Sequence, residues 1–432
     1  MQKVHFRPIS RFLIFLVCCF TSAVMLKAQT VYETKVFKPK RIKTLQVVQP
    51  DETFTTPIIT LDSDEQILIN FDDLTPNYTR YAYSIIHCDA NWQQSSLSML
   101  EYMQGFQGLP IEDFAPSFNT TVQYTNYQLM LPNEEVQFKV SGNYVVKVYL
   151  EEDPDDVIFT ARFSVVEPQV EILSEITGNT LVDTYQKSQQ VKFTVMKKNF
   201  NITYPQTDLK IRVEQNNRID NPVTKVAPTG ILNDRISYDN CRELIFPAGN
   251  EYRRMEYLTH KYNGMRVEKI SYFNPYYHVE LTTDRPSSMV PYEYDQDQNG
   301  RFYIGCSRCD NVDVEADYYI VHFALEMPEA KQGKVYLNGD FTNNQFDENS
   351  EMIYNQDTQQ YEKALLLKQG NYNYQYLYVP NGEKVGKTGS IEGDFHQTEN
   401  EYTIYVYFRP MGARFDRLIG VQTSHIHGHE EN

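Results

Sequence analysis

Alternating apolar and polar residues recur along the chain in short runs that end at turn-forming residues. In the first part of the chain these runs are 66–71, 81–86, 127–131, 144–149 and 157–166. A period of two is typical of a β-strand with one buried and one wet face. The runs predict a first β-sandwich over 31–168, with 153–156 as a hairpin loop and Glu167-Pro168 as a linker.

Two further series of such runs follow. They are 170–173, 191–195, 209–213 and 277–281, and then 319–325, 334–337, 372–378 and 402–408. We expect a middle sandwich with long hairpins over 169–318 and a C-terminal early-set immunoglobulin-like domain over 319–420. Residues 421–432 are expected to form a flexible tail that contains histidines, and 92–118, which lack a clean period, a long excursion with at most one helical turn.

These elements define the fold class as all-β, with tandem antiparallel immunoglobulin-like or early-set β-sandwich domains. Parallel strands need crossover connections, usually helical, and long amphipathic helices are missing between the predicted strands. The composition agrees with this class. The 33 Tyr and 24 Phe residues suit half-buried strands, and there is one Trp.

The first 28 residues have the order of a secretory signal peptide. Basic residues precede the unbroken apolar run 12–20, and smaller residues then lead to Ala28, after which we expect cleavage. Polar residues interrupt the apolar run before it reaches the length of a membrane-spanning helix, so an anchor is the less favoured interpretation. The sequence therefore predicts an exported protein.

The formal net charge of −17 bears on the choice of partner. An acidic chain is repelled by nucleic-acid phosphates and by anionic lipid, and no basic stripe offsets this. Nucleic acid is therefore not an expected partner. No phosphate loop, nucleophile elbow or metalloprotease motif is present, so we expect no catalytic residues, no cofactor, no bound metal and no small-molecule substrate.

One segment resembles the start of a calcium loop, because Asp295, Asp297 and Asn299 alternate before Gly300. The twelfth position of such a loop requires a bidentate Glu, and Cys306 stands there. A solvated hairpin turn is the favoured interpretation, with cation binding as the alternative. The same two interpretations apply to the acidic loop 151–156.

The cysteines and histidines raise the remaining metal and redox hypotheses. Four cysteines follow the signal segment: Cys88, Cys241, Cys306 and Cys309. Cys306 and Cys309 are expected to form a local disulfide after export, with a four-cysteine zinc site as the alternative, and Cys88 is expected to be a buried thiol. The tail residues His425, His427 and His429 suggest adventitious metal binding, while His87, His260, His278, His322 and His396 are too scattered along the chain to suggest a ligand set.

Residues 334–346 resemble the opening of early-set immunoglobulin-like modules that bind glycogen or starch. In those modules a Trp that stacks on sugar follows the segment that here reads Gly339 to Asn344, and this chain has Gln345 instead. A carbohydrate-binding accessory protein is therefore retained as the alternative function.

Several segments together resemble a known family. They are Tyr83 to Trp92, Glu101 to Phe106, Ile111 to Phe114, Ser117 to Thr121, Tyr124 to Tyr127, Ser141 to Tyr144, Asp153 to Asp156, Tyr292 to Asp295, and Asn299 to Arg301. With these segments the chain resembles the plug protein family of the type IX secretion system of Bacteroidota. The resemblance covers nearly all of the chain beyond the signal segment, and it departs from the family pattern at Cys306 to Cys309.

The resemblance implies a periplasmic, non-enzymatic protein associated with the outer membrane through a protein partner. That partner would be the translocon barrel, whose periplasmic mouth the protein would cap to prevent leakage when no cargo is engaged. The resemblance assigns no residues to the contact, so the partner-binding residues are unknown at this point.

Overall fold

A computed structural model describes residues 30–50, 54–75 and 77–426. The first part of the chain forms a sandwich of two main sheets. One sheet has the order β1-β12-β11-β5-β7, with β3 pairing parallel to β12, and the other has the order β2-β4-β9-β8, while β6 and β10 pair separately. The elements are β1 (Lys35–Val36), β2 (Ile42–Val48), β3 (Ile58–Thr60), β4 (Ile67–Asp73), β5 (Tyr81–Cys88), α1 (Met99–Tyr102), β6 (Met103–Gln104), β7 (Leu109–Pro110), β8 (Asp113–Pro116), β9 (Thr125–Leu131), β10 (Gln137–Phe138), β11 (Gly142–Leu150) and β12 (Asp153–Val166).

The core of this first sandwich follows from the alternation in its strands. Tyr144, Val146 and Val148 of β11 point into the core and are fully buried. In the antiparallel pairing of β11 with β12, Tyr144 lies opposite Phe163. The expected excursion contains one helical turn, α1, which Glu101 caps by accepting a hydrogen bond from the Ser98 amide at 2.8 Å.

The second sandwich is built from two separate parts of the chain. Its sheets have the orders β13-β14-β17-β16, with β18 on β14, and β15-β28-β29. The elements are β13 (Glu171–Thr177), β14 (Ser188–Met196), α2 (Pro205–Asp208), β15 (Leu209–Gln215), β16 (Gly230–Ile231), β17 (Arg235–Tyr238), a 3-10 turn (Arg242–Leu244), β18 (Ile245–Pro247), β28 (Glu401–Phe408) and β29 (Arg417–His425).

The third sandwich is inserted between β18 and β28. One long sheet, β19-β27-β24-β25-β26-β23-β21-β20 with β22 on β27, folds around a single core. The elements are β19 (Arg253–Tyr257), β20 (Val267–Phe273), β21 (Tyr276–Leu281), β22 (Phe302–Ile304), α3 (Val312–Glu315), β23 (Tyr318–Glu326), β24 (Gly333–Asn338), a 3-10 turn (Asp340–Thr342), β25 (Glu351–Asn355), β26 (Gln360–Lys368) and β27 (Gly370–Pro380).

This insertion differs from the expected division into 169–318 and 319–420. The strand β28, which falls in the range expected for the C-terminal domain, pairs with β15, with Ile211 opposite Val406. Every residue of β28 is buried, because one face joins the second core while Tyr405 and Tyr407 pack against the first sandwich. Such a strand has no wet face, so its pattern does not reveal which sheet it joins.

The all-β fold class is confirmed, and the predicted strands are present in all three sandwiches. Two local expectations were wrong. Residues 153–156, expected as a loop, begin β12, and residues 421–425, expected in the flexible tail, complete β29. The predicted signal peptide, His427 and His429 lie outside the described residues. Within the described part, no helix is long and apolar enough to cross a membrane.

A buried ion pair joins the first and third sandwiches. The ammonium of Lys368 donates to Asp72 Oδ2 and to the Asp313 carbonyl, both at 2.7 Å, and lies 4.2 Å from the centre of the Tyr124 ring. The hydroxyl of Tyr318 donates to the same Asp72 oxygen at 2.6 Å. Burial raises the pKa of the Asp72 carboxyl and the Lys368 charge opposes that rise. The pair is inaccessible to solvent, so each charge depends on the other sandwich for its partner.

Two more buried carboxylates hold the other junctions. Asp416 of the second sandwich accepts the Ala90 amide of the first sandwich at 2.9 Å, and it also accepts Lys210 Nζ at 2.8 Å. Arg301 of the third sandwich donates to Glu401 of the second at 2.6 Å, with both side chains buried. The three sandwiches therefore contact one another through satisfied polar groups that only their observed arrangement pairs.

We predict that Asp72→Asn lowers the free energy of unfolding by about 3–5 kcal/mol, because it leaves the Lys368 charge buried without its counter-ion. Urea unfolding followed by tyrosine fluorescence measures the change. Glu326→Gln is the matched control, since Glu326 pairs with Arg285 on the surface, where loss of an ion pair costs about 0–1 kcal/mol. Equal effects of the two substitutions would contradict a structural role for the buried pair.

The Cys306–Cys309 disulfide is a second prediction. The two Cα atoms are 5.7 Å apart, within the range that a disulfide spans, whereas Cys88 and Cys241 are separate buried thiols. Alkylation of the denatured exported protein without reductant should label Cys88 and Cys241 and leave Cys306 and Cys309 unlabelled. Full labelling of the latter two before reduction would refute the disulfide.

Candidate partner-binding surface

One edge of the first sandwich is formed by the segment that follows α1. In this segment β7 pairs with β5 of one sheet, and β8 then pairs with β9 of the other. The chain thus passes from sheet to sheet along the edge, and it leaves three phenylalanines on the surface. Phe106, Phe114 and Phe118 are 74%, 40% and 63% exposed. We call these residues, together with Tyr78, the edge aromatics.

Phe114 is held in place by other aromatic rings. The half-exposed Tyr78 stacks on it with ring centroids 4.3 Å apart, and on its inner side Phe114 lies 5.8 Å from the buried Tyr127. Tyr127 in turn stacks on Phe71 of the core at 5.1 Å. The exposed ring is therefore the outer end of an aromatic column, and little side-chain entropy remains to be lost when a partner binds it.

Phe118 lies on a loop that the third sandwich fixes. Its amide donates to the Val314 carbonyl at 2.8 Å. Farther along the loop, the Asp317 carboxylate accepts the amides of Thr121 and Val122 at 2.9 and 3.1 Å. A carboxylate that receives several backbone donors orders the loop that supplies them. Phe118 is therefore presented in a fixed position although its ring is in solvent.

The turn before Phe106 is also constrained. Gly105 has a φ of +127°, and a Cβ at this position would collide with the Glu135 carbonyl. Only glycine combines this backbone angle with so close an approach.

The surface around the edge aromatics carries negative charge. Glu112 and Asp113 are exposed beside the rings, so the surface joins aromatic rings with negative charge.

The position expected to bind sugar is not on the surface. Gln345, which replaces the stacking Trp of glycogen-binding modules, is 9% exposed, and its amide donates to the Thr34 carbonyl of the first sandwich at 3.1 Å. This position therefore belongs to a contact between sandwiches. The geometry gives no support to the carbohydrate alternative there.

The calcium-like segment uses its carboxylates within the protein. Asp297 accepts the amides of Tyr252 and Asn299, and Asp295 pairs with Arg254. Burial raises the pKa of Asp297 to about 7, and the hydrogen bonds from the Asn299 and Tyr252 amides oppose that rise. In the described residues, no group of three or more His, Cys, Asp or Glu side chains could hold a metal ion.

Of the histidines that are scattered along the chain, His278 and His322 meet in the fold. His87 is buried, and burial lowers its pKa to about 4. His425 lies on β29 with its Nε2 3.9 Å from Glu401. His278 and His322, which are 44 positions apart, meet at 2.8 Å between ring nitrogens. The sequence does not reveal this pair, because β21 and β23 are parallel neighbours separated by a long connection.

A cavity of about 120 Å³ lies where the three sandwiches meet, and Trp92, Arg162 and Asp340 are among its lining residues. Ligand pockets usually begin at about 300 Å³. This cavity is thus too small for most metabolites. Burial raises the pKa of Asp340 to about 6, and the Arg301 charge opposes that rise. These groups serve the junction between sandwiches.

The sequence does not reveal the edge aromatics as a surface, although Phe106, Phe114 and Phe118 all lie in segments that carry the family resemblance. The feature of the sequence that indicates an exposed surface here is that three phenylalanines lie in a stretch without a strand or helix period. An aromatic residue in such a stretch has no predicted core to enter. Its exposure nevertheless required the structure.

Comparisons with known proteins give a family match for the first sandwich. The family model for the first domain of the type 9 secretion system plug protein matches residues 42–167. A crystal structure of a hypothetical protein from Parabacteroides merdae is similar to the chain with a TM-score of 0.91 and 61% identity, covering 92% of this chain and 100% of that one. No curated protein matches the chain. The matched domain carries the edge aromatics and all of the quoted segments except Tyr292 to Asp295 and Asn299 to Arg301, and it places residues 42–167 in the type IX secretion system plug protein family.

Proposed function

We propose that this protein is a non-enzymatic plug that caps the periplasmic mouth of the outer-membrane translocon barrel of the type IX secretion system. In this role it prevents leakage when no cargo is engaged. Family membership supports a role in type IX secretion and a location in the cell envelope, and the family is a non-enzymatic component of that system. The observation that carries the proposal is the set of edge aromatics, held rigidly on the domain that the family model matches.

A plug has to be wide and stiff, because a channel that passes folded cargo is not closed by a flexible chain. The buried pairs Asp72–Lys368 and Arg301–Glu401 connect three sandwiches without leaving charges unpaired. Relative motion of the sandwiches would break these pairs inside the protein, where the cost is greatest. The assembly is thus suited to act as a single body against the barrel.

The edge aromatics are suited to be the contact. Aromatic residues dominate the energetics of protein interfaces, most of all when they are preorganised. Phe114 and Phe118 are ordered before any partner binds, the first by Tyr78 and the second by the Asp317 loop contacts. The exposed carboxylates of Glu112 and Asp113 would favour a partner surface with basic residues near its rim.

Deletion of the gene is predicted to make the outer membrane permeable to solutes that it normally excludes, because the barrel channel is left uncovered. Uptake of a large antibiotic or a fluorescent dye by living cells measures the leak. Deleting the barrel gene in the same strain should restore the barrier.

Two outcomes would contradict a plug. One is unchanged permeability in the single deletion. The other is a leak that persists in the strain without the barrel. Re-expression of the protein in the single-deletion strain is the control and should close the leak.

Replacing the exposed rings is predicted to weaken the contact without unfolding the protein. Phe114→Ala with Phe118→Ala should lower recovery of the barrel in a pull-down by about 30-fold, since loss of a hot-spot side chain costs about 2 kcal/mol or more. The control is Leu232→Ala with Ile353→Ala, which removes apolar side chains that are 60% and 65% exposed on the other two sandwiches.

The control variant should keep the thermal midpoint of the original protein within about 2 °C, because its side chains are largely in solvent. The phenylalanine variant should stay folded with a slightly lower midpoint, because Phe114 packs on Tyr78 and Tyr127. Full recovery of the barrel by the phenylalanine variant, or equal loss by the control variant, would move the contact away from this edge. The deletion experiment would still decide whether the protein is a plug.

A further inference from the structure

A second cavity, of about 100 Å³, lies between the first and third sandwiches beside the strand β2. Lys43 lines it, and the exposed Asn349 marks the side on which it reaches solvent. The cavity therefore combines an apolar wall with a lysine and with access from outside. The wall comes from both sandwiches and includes Ile42 and Leu45 of the first and Phe302, Phe341, Leu365 and Tyr372 of the third.

The aromatic part of the wall is fixed in place. Phe302 stacks on Tyr372 with ring centroids 5.2 Å apart, and Phe341 meets Tyr372 edge-on at 5.5 Å. Rings that hold one another in this way cannot easily move to fill the space between the sandwiches. An apolar cavity of about 150 Å³ holds a molecule the size of benzene, so this cavity suits an acyl chain of about four carbons.

An irregularity in β2 places Lys43 beside this space. The register of β2 against β4 shifts between Lys43 and Gln46, and Thr44 has a φ of +52°. A β-branched residue rarely adopts this angle, and here a hydrogen bond between the Thr44 and Tyr318 hydroxyls supports it. Ile42 enters the core of the first sandwich, so Lys43 lies on the opposite face of the strand, toward the third sandwich.

The ammonium of Lys43 makes no ion pair and no hydrogen bond with the residues that the structure describes, although the side chain is half-buried. The charge that acts on it is the like charge of Lys363 on β26, whose ammonium donates to the Glu348 carbonyl at 2.6 Å. A charge that is partly removed from water and lies near a like charge is stabilised by a bound counter-ion. The cavity therefore favours a ligand with a negative group.

Asp347 also lines the cavity, but its carboxylate is engaged by its own loop. One oxygen accepts the Asn349 amide at 2.8 Å and the other accepts the Asn349 side chain at 3.2 Å. Its charge acts on Lys363 and not on Lys43. Lys43 thus keeps its charge available to a ligand, while Asp347 disfavours a ligand with two negative charges, such as phosphate.

We propose that this cavity binds a free short-chain monocarboxylate, with the carboxylate on the Lys43 ammonium and the acyl chain against the apolar wall. A hydrogen bond between an ammonium and a carboxylate is about twice as strong as one between neutral groups. An apolar cavity accepts an apolar group in preference to water. This site goes beyond the proposed plugging function and does not depend on it.

The test uses the full mature chain and trifluorobutyrate, whose binding is followed by fluorine nuclear magnetic resonance. We expect a Kd of about 1 mM or lower, as suits so small a ligand. Lys43→Met keeps the length of the side chain but removes its charge, and it should weaken binding by about tenfold or more. Lys40→Met is the matched control and should leave the affinity unchanged, because Lys40 is exposed and does not line the cavity. The uncharged trifluorobutanol should bind the parent chain about tenfold more weakly than the acid.

Absence of binding at about 10 mM trifluorobutyrate would overturn the proposal, and so would equal affinities of the acid for the parent chain and for Lys43→Met. Equal binding of acid and alcohol would remove the role of the carboxylate. Tighter binding of N-acetylleucine, which mimics the carboxyl end of a peptide, would overturn the assignment to free acids. If Lys43→Met does not fold, the methyl resonances of Leu365 and Leu367 in the parent chain decide the matter, since both residues line the cavity. Trifluorobutyrate should shift them, and unshifted resonances would refute the site.

Discussion

Asp72 is the residue on which the arrangement of the first and third sandwiches depends. Its carboxylate lies at the end of β4, fully buried, and it receives Lys368 and Tyr318 from the third sandwich and Asn126 from its own. A carboxylate and an ammonium removed from water are tolerated only when they are paired and hydrogen-bonded. The first sandwich alone would expose or protonate Asp72, and the third alone would leave Lys368 without a counter-charge. The two sandwiches therefore satisfy each other's charges in one relative position.

The same junction also orders the surface proposed to bind the partner. The segment that leads through α3 into β23 makes hydrogen bonds to the first sandwich from Asp313, Val314, Ala316, Asp317 and Tyr318. Asp313 accepts the side chains of Asn70 and Gln128, the Ala316 carbonyl accepts the Tyr124 hydroxyl, and Asp317 holds the loop that carries Phe118. One edge of the first sandwich is thus shaped by residues that lie about 200 positions later in the chain. Stability of the junction and presentation of the edge aromatics are consequences of the same contacts.

The difference between what the sequence predicted and what it did not has a physical basis. Strands such as β9 and β23 have one buried and one wetter face, so alternation revealed them. In β28 both faces are buried, and its pairing with β15 rather than with the third sandwich depends on shape and packing that no local pattern records. The Asp72–Lys368 pair, the His278–His322 contact and the exposure of Phe118 each join distant positions. Local residue chemistry identified these side chains as polar or aromatic, but only the tertiary arrangement gave them partners.

The split second sandwich adds a further constraint on how the domains work together. Because β28 and β29 return after the third sandwich, the chain enters and leaves that sandwich at the second one, and the insertion is fixed at both ends. The family model covers only residues 42–167, yet the groups that position Phe118 and satisfy Asp72 lie between 313 and 368. The hypothetical protein from Parabacteroides merdae matches at a TM-score of 0.91 over 92% of the chain, so the similarity extends to the arrangement of all three sandwiches. The matched domain by itself would lack the contacts that hold its own exposed edge, and the binding surface is therefore a property of the whole chain.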